Sequence, residues 1–101
     1  MIKVLIKQEE KKLVSLKVSG HANSAPHGED LVCAAVSAVL VGGLNNLANP
    51  KDFDIKISEG NTDVIVRNKI SSHDEIVLET IITSLKTIEE SYGKFIQIKN
   101  I

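Results

Sequence analysis

The sequence has no tryptophan, a single cysteine and only three aromatic residues, Phe53, Tyr92 and Phe95, in 101 positions. Rings cannot supply the core. Thirteen Ile, ten Val and nine Leu must carry the burial, and the β-branched majority of that set favours strands. One cysteine excludes an intramolecular disulfide and fits a reducing, cytoplasmic setting. Long hydrophobic runs are missing too. The longest, Leu31 to Leu44, is interrupted by Ser37 and by Gly42-Gly43, and it falls short of the roughly 18 residues of a membrane span. No lysine-flanked apolar stretch opens the chain as a secretory signal does, so a cytoplasmic protein with no membrane partner is expected. Neither charge is in excess: 12 basic residues face 13 acidic ones, for a net charge of −1. Such a chain sets up no field that gathers nucleic acid or anionic lipid. Its basic residues are spread over both termini without an aromatic stacking platform, so no direct nucleic-acid contact is expected.

What is present is globular composition, 43% apolar and 25% charged. The length suits one domain with one core, residues 1–101. Ile2, Val4 and Ile6 alternate with Lys3, Leu5 and Lys7. After a polar break at Gln8 to Lys11, Val14, Leu16 and Val18 alternate with Ser15 and Lys17, which predicts a hairpin with one buried face. Gly20 to Glu29 has no periodicity and contains Gly20, Pro26 and Gly28; a loop of that length in a compact domain is often functional. A helix follows, with Asp30 as N-cap and Leu31 to Leu47 as its body, ended by Asn49-Pro50. It is apolar nearly all round, so burial on several sides is expected, a second subunit included. Phe53, Ile55 and Ile57, a turn at Glu59-Gly60-Asn61, then Val64 and Val66 read as a second hairpin. Ser72 with Glu75 is a capping-box signature. Leu78, Ile81, Leu85, Ile88 and Tyr92 form the stripe of an amphipathic helix that Gly93 is placed to cap. Lys94 to Ile101 alternates again as a last strand. The order ββαββαβ predicts the α+β class, a mainly antiparallel sheet with two packed helices.

Three reactive side chains fall in one segment: His21, His27 and Cys33. With Asp30 as N-cap, Cys33 lies at about the third helical position. There, free backbone N–H groups and the positive end of the helix dipole stabilise a thiolate. Helical spacing puts Asp30, Cys33 and Ser37 on one face. No Lys or Arg occurs between Lys17 and Lys51, so a reactive sulfur here relies on the helix terminus and a histidine. Cysteine at a helix start with histidine on the preceding loop is an arrangement that activates sulfur for attack. The competing roles are plain ones. A lone cysteine in an apolar helix ordinarily packs, a serine there ordinarily bonds back to a carbonyl, and Asp30 can serve as a cap alone.

The stretch Gly20-His21-Ala22, followed after six residues by Glu29-Asp30-Leu31-Val32-Cys33-Ala34-Ala35-Val36-Ser37, resembles the ribosomal-processing cysteine protease family, Prp or YsxB-like. Chain length, element order and the place of the motif after an N-terminal hairpin match as well. Leu31 stands where Ile is commoner.

The resemblance implies a thiol protease, a peptide hydrolase of ribosome biogenesis. Its substrate would be the precursor of large-subunit ribosomal protein 27, whose N-terminal extension it removes. His21 and Cys33 map onto the catalytic pair, with Asp30 and Ser37 as supporting motif positions. It also implies a homodimer and a mobile glycine-containing loop over the site, here Gly20, Ala22, Pro26 and Gly28. In that scheme His21 takes the thiol proton, and backbone N–H groups at Cys33 and Ala34 serve the oxyanion. His27 lies in the loop, outside the strict motif, and is assigned no catalytic part. Such chemistry needs no cofactor and no metal, and the spacing of His21, His27, Cys33 and His73 matches no common zinc pattern. The alternative is a non-catalytic, ribosome-associated binding module with a structural thiol.

Overall fold

A computed structural model of the protein describes residues 1–22, 25 and 30–101. Two hairpins and two helices alternate: β1 (Ile2–Glu9), β2 (Lys12–Ser19), α1 (Leu31–Leu44), β3 (Phe53–Ser58), β4 (Asn61–Val66), α2 (Ser72–Tyr92) and β5 (Ile96–Asn100). The strands form one sheet in the order β3-β4-β2-β1-β5. Three pairings are antiparallel, and β5 runs parallel to β1. The ββαββαβ reading therefore holds, with a parallel edge added.

The alternation in β1 survives: Ile2, Val4 and Ile6 are buried in a core shared with α1 and α2. In β2 it breaks. The ladder pairs Lys7 with Ser15 but Gln8 with Leu13, leaving Val14 as the extra residue of a bulge. A bulge moves every residue beyond it to the opposite face. Leu13, rather than the expected Val14, packs against the core.

Helix α1 buries Val32, Val36, Leu40 and Leu44, a stripe of four-residue steps. Its opposite side is open, with Leu31 78% exposed and Val41 37% exposed. Among the described residues, burial on several sides, expected from its composition with a second subunit included, does not occur. The helix also stops at Leu44 rather than Leu47. Asn45 and Asn46 are weak helix formers, and buried Asp74 of α2 captures the chain beyond them, accepting from Ala48 N–H at 2.8 Å and Asn49 N–H at 3.0 Å.

The second helix begins one residue earlier in its cap than the capping box suggests. Ser71 is the N-cap and its Oγ accepts from Asp74 N–H, while Ser72 is already helical. Its core residues are Val77, Leu78, Ile81 and Leu85, and Tyr92 at the end of the expected stripe is exposed. Gly93 is the C-cap, in right-handed backbone.

Candidate active site

The start of α1 is built by Asp30. Its Oδ1 accepts hydrogen bonds from Val32 N–H at 3.0 Å and Cys33 N–H at 3.1 Å. Its carbonyl accepts from Ala34 N–H at 3.0 Å, the first bond of the helix. This is how an aspartate cap satisfies the orphan donors of a first turn. It also engages the Cys33 and Ala34 N–H groups, the two expected at an oxyanion.

Cys33 is half-buried, at the third helical position as the spacing predicts. A backbone N–H does reach its sulfur, from another place: Ala22 N–H donates to Sγ at 3.2 Å. Ala22 is buried, and its neighbour Gly20 is tied down, donating to the Gly60 carbonyl at 2.9 Å. Gly20 has φ +94, and a Cβ there would stand 2.4 Å from the Met1 carbonyl oxygen, so only glycine fits. Gly20 and Ala22, read as parts of a mobile loop, are thus held in place at its base. Pro26, His27 and Gly28 lie outside the described residues.

His21, Cys33 and Ser37 line one cleft of about 260 Å³. One wall is α1, with Val36, Leu40 and Val41; the other is the β3–β4 hairpin from Ile57 to Thr62. Ser37 on the helix wall is exposed, as are Ala34 and Ala38 elsewhere on α1. The structure therefore brings His21, Cys33 and Ser37 together around one space, with Asp30 beneath the cysteine as its cap. An accessible sulfur at the positive end of a helix, with a backbone donor on it and an imidazole in the same cleft, is suited to nucleophilic attack.

The hairpin wall has no local signature in the sequence. Gly60 was legible as a turn residue, but its place against His21 follows from strand pairing: Ser19 is opposite Asn61 in the β2–β4 ladder, which carries the turn to residue 20. No local pattern signals that.

His73 is elsewhere. It lines a groove between α1 and α2 with Val39, Gly43 and Ile76, and its Nδ1 lies 2.9 Å from Asp74 Oδ1. Burial raises the Asp74 pKa, but the bond from His73 and the N–H groups of Ala48 and Asn49 outweigh it and hold the carboxyl below the ordinary value of 3.8. Among the described residues, no group of three or more His, Cys, Asp and Glu side chains is placed to hold a metal ion. No helix among them is long and apolar enough to cross a membrane.

Comparison with known proteins points the same way as the cleft. The family model described as cysteine protease Prp matches residues 1–97. The ribosomal processing cysteine protease Prp of Staphylococcus aureus is 33% identical over 94 residues, covering 89% of each chain. That of Bacillus subtilis is 33% identical over 105 residues, covering 91% of this chain and 90% of the relative. Among solved structures, the S. aureus essential ribosomal processing protease Prp with a covalently linked product peptide aligns over the whole of both chains, at 31% identity and a TM-score of 0.90. A complex of the same protease with a substrate peptide gives 28% identity and a TM-score of 0.78, again over the whole of both chains.

Proposed function

The chain belongs to the cysteine protease Prp family, and from that premise we propose that it removes the N-terminal extension of large-subunit ribosomal protein 27, with Cys33 as nucleophile and His21 as general base. His21 takes the thiol proton, and the sulfur attacks the scissile carbonyl while the carbonyl π pair moves to oxygen. Collapse breaks the C–N bond, and the leaving amine takes its proton from His21. Water, activated by the same imidazole, then hydrolyses the thioester. The observation that carries this reading is the shared cleft: His21 and Cys33 line one space, and Ala22 N–H is bonded to the sulfur. A packed, structural thiol would be sealed in the core, whereas Cys33 borders an open cleft.

Asp30 supports the nucleophile by fixing the turn that carries it, and Ser37 lines the cleft one turn further on. Residues 1–101 act as one domain, with the precursor peptide as partner and no metal or cofactor. A homodimer in the cytoplasm completes the reading. The open side of α1, with Leu31 and Val41 exposed beside Ala34 and Ala38, supports the dimer, because such an apolar face gains by being covered.

The test is cleavage of a precursor peptide spanning the extension junction, followed by mass spectrometry. Cys33→Ala and His21→Ala are expected to abolish cleavage with the circular dichroism spectrum unchanged. Cleavage by Cys33→Ala at the wild-type rate would falsify the mechanism.

A further inference from the structure

Resting on that protease reading, we propose that the backbone N–H of Ala22 is a catalytic donor, holding the Cys33 sulfur before attack and the carbonyl oxyanion after it. Two observations lead there. First, three N–H groups of the first turn of α1, those of Val32, Cys33 and Ala34, all end on Asp30. Second, Ala22 N–H points at Sγ from 3.2 Å while Ala22 itself is only 3% exposed. A buried N–H must have a partner, and here the partner is the reacting atom.

The donor is also rigidly mounted. Ala22 directly follows His21, and both hang from Gly20, whose N–H is bonded to Gly60 and which has no room for a Cβ beside the Met1 carbonyl. General base and donor are therefore carried on one strut, and fixed dipoles aimed at developing charge need no reorganisation during reaction.

In the attack, the S–C bond forms and the C=O π pair moves onto oxygen. Sulfur and oxyanion are then bonded to the same carbon. A donor within reach of the sulfur pivots only slightly to reach the oxygen, so the hydrogen bond passes from Sγ to the oxyanion. On collapse the pair returns to the carbonyl, the C–N bond breaks and His21 protonates the amine. Nothing beyond enzyme and peptide takes part.

The test replaces the N–H by oxygen. Ligation of residues 1–32 to 33–101 at Cys33 allows lactic acid to stand at position 22, keeping the methyl group and removing the donor; the all-amide protein made in the same way is the control. Alkylation by iodoacetamide at neutral pH reads the sulfur alone. Loss of the donor on the reacting sulfur is expected to slow it about threefold. Single-turnover cleavage of the precursor peptide reads the oxyanion too, and a loss of about 100-fold is expected. An ester protein that cleaves like the control, or loses no more in cleavage than in alkylation, overturns the proposal. Should the ester protein not fold, the amide proton resonance of Ala22 in labelled wild type decides. It is expected to move downfield when a peptide aldehyde forms its tetrahedral adduct with Cys33, and an unmoved resonance overturns the proposal. Failure of the all-amide protein to cut the peptide at all sinks the substrate reading instead, and the two failures are therefore distinguishable.

Discussion

The backbone of Gly60 packs against the imidazole of His21: a Cβ at position 60 would lie 2.9 Å from Nε2 and 3.3 Å from Cε1. The same residue accepts the Gly20 N–H at 2.9 Å through its carbonyl. One glycine thus fixes both the chain that carries the histidine and the space its ring occupies. Its φ of +72 is tolerated by asparagine better than by other side chains. Gly60→Asn is therefore expected to keep the turn while its Cβ displaces the ring. A displacement near 1 Å costs about 100-fold in rate, to be measured as kcat/KM for the precursor peptide beside a thermal melt. A folded Gly60→Asn protein with wild-type activity would show that the ring is positioned by something else.

Adjacent glycines in α1 are expected to answer alanine oppositely. At Gly42 an added Cβ meets nothing within 4 Å, whereas at Gly43 it would stand 2.3 Å from Cγ1 and 2.6 Å from Cδ1 of Ile81. Gly42→Ala removes backbone freedom from the unfolded chain and is expected to stabilise by about 0.5–1 kcal/mol. Gly43→Ala pushes the two helices apart and is expected to destabilise by about 1–3 kcal/mol. Urea denaturation of both variants checks the pair, and equal shifts of one sign would contradict the close helix contact.

The β1–β2 turn carries an avoidable strain. Glu10 and Lys11 form a two-residue loop between paired Glu9 and Lys12, with φ values of 52 and 67. Left-handed backbone costs a side-chain-bearing residue about 1–2 kcal/mol, and this loop geometry prefers Asn-Gly. The double substitution Glu10→Asn, Lys11→Gly is expected to raise stability by about 1–2 kcal/mol, with cleavage activity unchanged. The midpoint of urea unfolding measures it.

Asp74 gives the acid limb of stability its direction. Its carboxyl is held below the ordinary value despite complete burial. A carboxylate lowered in the folded state contributes stability that is full above the unfolded value of about 3.9 and is lost as pH falls through the lower folded value. Asp74→Asn is expected to cost about 2 kcal/mol at neutral pH, because charged acceptors for Ala48 and Asn49 are lost. It should also flatten the fall in stability below about pH 4. Denaturation of both proteins from neutral to acidic pH shows whether the two curves converge; parallel curves would remove Asp74 from the account.

Much of the framework was readable because its signals are local. Two-residue alternation placed β1, β3 and β4, and Asp30 followed by an apolar run placed the helix and put Cys33 in its first turn. The errors sit where a distant group intervened. Val14 lost its core position to Leu13 because β1 pairs with β2 through a bulge, which no side-chain alternation encodes.

By itself, the sequence determined the elements, their order, the capped helix start and the reactive pair of residue types, since each depends on neighbours within about one helical turn or one strand pair. The tertiary structure alone decided what surrounds the sulfur. Ala22 reaches Sγ, and Gly60 meets His21, only because β2 pairs with β4 and brings the second hairpin's turn to the end of the first hairpin. Strand order is set by the summed burial of the whole sheet, and it places residues far apart in the chain against each other without leaving a periodic trace in either segment.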